Sequence, residues 1–246
     1  MKRLTTLLLL AITCLPFCVR ADNLTVGVEA LDQYPIYKGE PTQYTGFARE
    51  LLDAFAAKYG HTLQYKPMPV LRLHDELLKT QSIDLKFPDN LEWNGEMRKG
   101  LNVSYSKPVL SVTEGLSLKP ANKNRGIAAQ KTIGTLRGFT PWQYLDAIKA
   151  KKIALAEVNS FDALVKMAES GRIDGLFANS IVVNYYLTEQ LKQPNLLVFD
   201  DTLPYTKTNF HLSSVKQPKV IAQFDEFLDK EKDTVEKLKA KYRILK

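Results

Sequence analysis

The chain has 246 residues, 45% of them hydrophobic and 25% charged, with a formal net charge of +7. That much apolar content excludes a disordered polypeptide, and the length allows one or two globular domains. The positive excess is mild and spread along the sequence, which excludes the basic stripe of a nucleic-acid binder.

The first 21 residues read as a cleaved export signal. Lys2 and Arg3 form a positive start, Leu4 to Leu15 an apolar run broken by Pro16, and Val19-Arg20-Ala21 a cleavage site. The run is well short of the about 20 residues that span a bilayer, and Phe17 before Cys18 does not suit a lipoprotein. Cleavage after Ala21 removes three cations, Lys2, Arg3 and Arg20, taking the formal charge from +7 to +4. It also removes Cys14 and Cys18, leaving no disulfide and no thiolate chemistry. The expected location is the periplasm.

Leu24 to Glu29 reads as a strand, followed by a polar, aromatic loop from Ala30 to Thr45. Gly46-Phe47 opens a helix with Leu51, Leu52, Phe55 and Ala56 on one face, stopped at Gly60. Strand Leu63–Lys66, helix Leu71–Leu78 and strand Ile83–Phe87 follow, an alternation that marks an α/β layered domain. Periodicity is lost from Pro88 to Lys107. Val109 to Leu118 is a β-rich run, and Pro120 to Gly126 a surface turn. A second series follows: strand Thr132–Thr135, helix Thr140–Ala150, strand Ile153–Ala156, helix Phe161–Ser170, strand Ile173–Phe177, helix Ser180–Leu191 and strand Leu196–Phe199. An extended segment, Tyr205–Leu212, leads to an amphipathic helix or helix pair, Pro218–Tyr242, whose apolar stripe suits packing on the protein's own core.

One local pattern occurs twice. Leu77 to Phe87 reads LLKTQSIDLKF and Met167 to Phe177 reads MAESGRIDGLF, each a helix end, a polar turn, an Ile-Asp pair and a strand ending in Phe. The repetition predicts two α/β lobes, each a mixed, mostly parallel sheet flanked by helices. Lobe 1 takes residues 22–112 and 204–246, lobe 2 residues 113–203, and two hinge strands cross between them near 110–118 and 203–212.

Tyr34-Pro-Ile-Tyr37, Thr45-Gly-Phe47, SIDLKF, Tyr105-Ser-Lys-Pro108, IGTLRGFT (Ile133 to Thr140) and SGRIDGLFAN (Ser170 to Asn179) follow one another in an order that resembles the periplasmic solute-binding proteins of polar amino-acid ABC transporters (solute-binding protein family 3). The resemblance covers nearly all of the chain after the signal. It implies the type II periplasmic binding fold, whose lobes close over a small-molecule ligand. It further implies a monomer without cofactor or nucleic acid, and an inner-membrane ABC permease as partner.

For such a ligand the anion donors are Arg72 and Arg137, with helix N-terminal amides around Phe139 and Thr140. Arg137 in a Gly-flanked turn could hold a carboxylate through two parallel bonds; the competing reading is an exposed Arg paired with a nearby acid. Tyr34, Tyr37 and Trp93, aromatics in polar loops, are the candidate walls, and Trp142 braces a helix start. The resemblance places an Asp that pairs with a substrate ammonium where this chain has Asn179, whose amide lacks the charge. It places a carboxylate clamp where Phe87-Pro88-Asp89-Asn90 intervenes, with Arg98 near but not in register. Asp89 and Asn90 are kept as ligand-binding candidates, with Asp89 or Glu157 as a cation partner.

The expected function is capture of a small polar, carboxylate-bearing solute for ABC-type uptake, without catalysis. A ligand-sensing or accessory role needs the same cleft. A cyclohexadienyl-dehydratase-like enzyme would instead need a cleft acid, for which Glu29, Glu114 and Glu157 are available. His61, His74 and His211 stand isolated, so no metal site is expected.

Overall fold

The computed structural model describes residues 22–244; the export signal expected at 1–21 lies outside them. The first half contains strand β1 (Asn23–Glu29), a small three-stranded sheet of β2 (Asp32–Gln33), β3 (Tyr37–Glu40) and β4 (Gln43–Thr45), helix α1 (Phe47–Tyr59), β5 (Thr62–Met68), α2 (Val70–Leu78) and β6 (Leu85–Asp89). A short helix α3 (Gly95–Arg98) and strand β7 (Ser104–Tyr105) lead to the long strand β8 (Leu110–Leu118). The second half holds β9 (Thr132–Leu136), α4 (Leu145–Lys149), β10 (Ala154–Val158), α5 (Phe161–Glu169), β11 (Gly175–Asn179), α6 (Ser180–Tyr185) and β12 (Val198–Phe199). The chain ends with β13 (Thr206–Ser214) and helices α7 (Pro218–Lys230) and α8 (Lys232–Lys241).

The two halves share one construction. Parallel strands run in the order β5-β1-β6 in the first and β10-β9-β11 in the second, so the strand that opens each half lies at its centre. An antiparallel strand then closes each set, β13 beside β6 and β8 beside β11. The hinge strands β8 and β13 pair with each other from Leu110 to Glu114 and from Thr206 to Phe210, joining both sets into one path.

The Ile-Asp pattern explains the duplication physically. Asp84 accepts from the backbone N–H of Thr25 at 2.8 Å, and Asp174 from that of Thr132 at 2.8 Å, so each carboxylate holds the start of the neighbouring parallel strand. Each Ile lies over a glycine of that strand. A Cβ on Gly27 would come within 2.4 Å of Ile83, and one on Gly134 within 2.5 Å of Ile173, so only glycine allows the helix layer so close.

Several elements differ from their sequence reading. The loop 30–45 contains the β2–β4 sheet, with Tyr37 stacked on Tyr44 and Tyr44 on Tyr65. The helix expected over Thr140–Ala150 shrinks to a 3-10 turn at Trp142–Tyr144 followed by α4, because Pro141 biases Thr140 away from helical backbone. The helix expected to reach Leu191 ends as α at Tyr185 and continues as a π turn, Tyr186–Gln190. The C-terminal stretch is a helix pair, with Phe224 and Phe227 of α7 edge-on to Phe55 of α1.

Candidate functional site

Parallel strands deliver their C-terminal ends to one edge, and in this chain the two edges face each other where the halves meet. Glu29 ends β1, Asp89 ends β6 and Asn179 ends β11. The halves touch around this region: Tyr34 packs on Tyr185 with ring centroids 5.0 Å apart, and Gly138 stands against Val70.

On the first-half side lies a fully buried ionic cluster. One Asp89 carboxylate oxygen accepts from Arg98 at 2.7 Å, Lys86 at 3.0 Å and the Asn90 backbone N–H at 2.9 Å; the other accepts from the Ser213 hydroxyl at 2.6 Å. Burial alone would raise this carboxyl, but Lys86, Arg98 and Ser213 outweigh it and hold Asp89 below its ordinary range. Lys86 also donates to the Pro88 carbonyl at 2.7 Å and lies over the Trp93 ring. Arg98 is further fixed by the Trp93 carbonyl and the Tyr105 hydroxyl, both at 2.6 Å. His74, beneath this cluster, is pushed down to about 4 by burial and by Lys86, so it is neutral.

Next to it stands a pair of carboxyls. Glu29 is buried and accepts from the Tyr37 hydroxyl; burial raises it, against Lys86 and that hydrogen bond. Glu114 is half-buried on hinge strand β8, pushed up to about 7 by burial and then by Glu29. Among the described residues its carboxyl has no hydrogen-bond partner. Glu114 is also where β8 changes partners, paired on one side with Thr206 of β13 and on the other with Asn179 of β11. Residues opposed in an antiparallel pair project to the same face, so Glu114 and Asn179 are side by side. The Asn179 side-chain oxygen accepts from the Ile181 N–H at 2.9 Å and starts α6, while its buried amide nitrogen has no partner among the described residues.

The residues expected at the site are distributed unevenly. Tyr37 and Asn179 reach the carboxyl pair. Tyr34 instead lines a cavity of about 350 Å3 between the halves, with Leu136, Phe161 and Tyr186. Trp93 is half-buried against Phe210 and above Lys86. Asp89 is engaged by Lys86 and Arg98 rather than open to a ligand cation. Asn90 is engaged too, donating to Thr208 and to the Asn209 carbonyl and accepting from the Glu92 N–H. Arg72 is exposed and paired with Glu76, as a surface Arg four residues from an acid would be. Arg137 is exposed. Phe139 packs on the apolar core, and the Thr140 carbonyl accepts from the N–H of Trp142, where a 3-10 turn starts, so the α-helix begins only at Leu145 rather than at 139–140. Glu157 is exposed on strand β10, away from the acid role considered for it. Lys86 escaped the sequence reading; its signal was a charge set between Leu85 and Phe87 in a strand that also carries Asp89. A second, larger groove of about 1000 Å3 lies against β8 and α6, lined by Val112, Ile181 and Lys207 among others.

Among the described residues no helix is long and apolar enough to cross a membrane, and no group of three or more metal-ligating side chains occurs.

No known protein family's profile matches this chain, and no curated protein does. Solved structures do. An ancestral amino acid-binding protein, a precursor of cyclohexadienyl dehydratase, is 22% identical over 89% of this chain and 95% of its own, with a TM-score of 0.68. An ancestral arginine-binding protein bound to arginine is 20% identical over 91% and 99%, TM-score 0.69. An arginine transport-system periplasmic binding protein from Legionella pneumophila is 14% identical over 90% and 100%, TM-score 0.69. At these identities the likeness shows the fold: two α/β lobes, each a mixed sheet flanked by helices and joined by two hinge strands, as in type II periplasmic binding proteins.

Proposed function

We propose that this chain is a periplasmic solute-binding protein of the family 3 type, which captures a small polar solute between its lobes and presents it to an ABC permease. The observation that carries this reading is the convergence of Glu29, Tyr37, Glu114 and Asn179 from four different strands at the meeting edge of two like-built halves. Polar groups held on rigid strand ends, shielded from water, are what orients a small ligand. The arginine-binding and transport-system neighbours support the same role by their fold. We place the lobe boundaries at 112/113 and 203/204; the change of partner by β8 at Glu114 supports the first.

A second reading, a dehydratase-like enzyme, draws on Glu114, a carboxyl protonated near neutral pH as a general acid would be. Against it, both buried cations beside the site are already bound to Asp89, leaving none to clamp a dicarboxylate.

A thermal-shift screen of amines, amino acids, organic acids and short peptides tests the proposal, because a ligand that binds only the folded chain raises Tm. The expected result is at least one hit whose shift is lost in Glu114→Ala or Asn179→Ala. Hits that persist in both variants sink this site. Turnover of prephenate by the wild type would instead establish the enzymatic reading.

A further inference from the structure

We infer that the cleft takes a small organic cation that also carries a neutral hydrogen-bond acceptor, such as an amino alcohol or amino amide, and is not held through a ligand carboxylate. This rests on the solute-binding reading and narrows its ligand.

Three observations lead there. First, the place where a ligand anion would meet buried cations is already filled from within. Lys86 and Arg98 both donate to Asp89, whose second oxygen is taken by Ser213. A ligand carboxylate could reach either cation only by displacing a carboxylate that accepts four hydrogen bonds.

Second, the charges leave one carboxyl over. Lys86 and Arg98 balance Asp89 and Glu29, the four buried ionic groups around the strand ends. Glu114, half-buried beside them, is a fifth ionic group, and among the described residues no cation faces it. From β1 it meets Glu29, from β3 Tyr37, from β11 Asn179 and from β13 Thr206. Lys207, the next residue of β13, points to the opposite face of the sheet and lines the other groove. A shielded carboxyl in this position either keeps a proton or takes a cation. A ligand ammonium between Glu114 and Glu29 supplies that cation and several donors.

Third, Asn179 points to a ligand independently of the acids. It is 2% exposed, and its carbonyl oxygen is committed to the α6 cap, which fixes the amide orientation. Its amide nitrogen therefore remains an unpartnered buried donor on the same face as Glu114. A hydroxyl or carbonyl oxygen on the ligand would accept from it while the ammonium meets the carboxyls.

The test is calorimetric titration of the chain after residue 21 with ethanolamine and 3-aminopropanamide, against succinate and L-glutamine, at pH 6 and pH 8. An amine should bind more tightly than succinate or L-glutamine, and about tenfold more tightly at pH 8 than at pH 6 as Glu114 loses its proton. Glu114→Gln should weaken amine binding roughly 10- to 100-fold, as expected for losing a charge-assisted hydrogen bond. It should also flatten the pH dependence and leave the circular dichroism unchanged. Succinate or L-glutamine binding more tightly than both amines overturns the inference while leaving solute binding intact. Amine binding unchanged in Glu114→Gln overturns it as well. No binding of any of the four probes, in a screen that also finds no other ligand, overturns both readings.

Discussion

Asp89 and Asn179 stand two residues after the Phe of the same repeated strand, Phe87 in one half and Phe177 in the other. Both are fully buried at the meeting edge, yet their surroundings are opposite. Asp89 is saturated by two cations, a hydroxyl and a backbone N–H, whereas Asn179 caps a helix with its oxygen and leaves its nitrogen free. One duplicated plan thus gives the same position two different surroundings. The first half uses this position to neutralise a buried ion cluster; the second keeps an unused donor next to an unmatched carboxyl.

The largest test of that contrast is to remove each side chain. Asp89→Ala leaves Lys86 and Arg98 buried without their counter-ion and should cost about 3–5 kcal/mol. Asn179→Ala removes only a helix cap, about 1 kcal/mol. Urea unfolding of the two variants measures both, and equal losses would break the distinction drawn here.

The shared part of the plan predicts equality instead. Gly27→Ala and Gly134→Ala each drive a methyl into the repeated Ile and a helix Leu, Leu73 in one case and Leu164 in the other. Each should cost about 1–3 kcal/mol through overpacking. A large difference between them in thermal denaturation would show that the two corners only look alike.

The smallest effect concerns pH. Glu114 is raised to about 7 from the ordinary 4.5, by burial and then by Glu29. Over that interval the folded chain holds a proton that the unfolded chain has released, so stability falls as pH rises from about 5 to 8. For a half-buried group the loss is on the order of 1 kcal/mol after screening. The Tm of the unliganded protein should decline across this range, and Glu114→Gln should remove that part of the decline. Identical profiles would place Glu114 in open solvent.

Much of the scaffold is legible before any coordinates. Helix α1 follows from its apolar spacing and the glycine that ends it, where Gly60 takes a left-handed backbone and its N–H reaches the Ala56 carbonyl. The Ile-Asp repeat announces two like-built corners. The site is less legible. Tyr37 stands out by loop position and Asn179 by resemblance, but Arg137 stands out over Arg98 because an Arg in a Gly-flanked turn looks open to a ligand, whereas Arg98 is out of register with the clamp that the resemblance implies. Lys86 carried only the weak signal of a charge between two apolar strand residues, Leu85 and Phe87. Ser213, which completes the Asp89 cluster, lies 124 residues away from it along the chain.

Hydrophobic period, turn chemistry and the duplicated pattern act over a few residues, so the amino-acid order alone determined the alternating elements and the two-fold plan. Which charges cancel, which carboxyl stays unmatched and which amide remains free depend on how β1, β6, β8, β11 and β13 are brought together. Electrostatic and hydrogen-bond energies are set by distance in space, and the tertiary fold alone decides those distances.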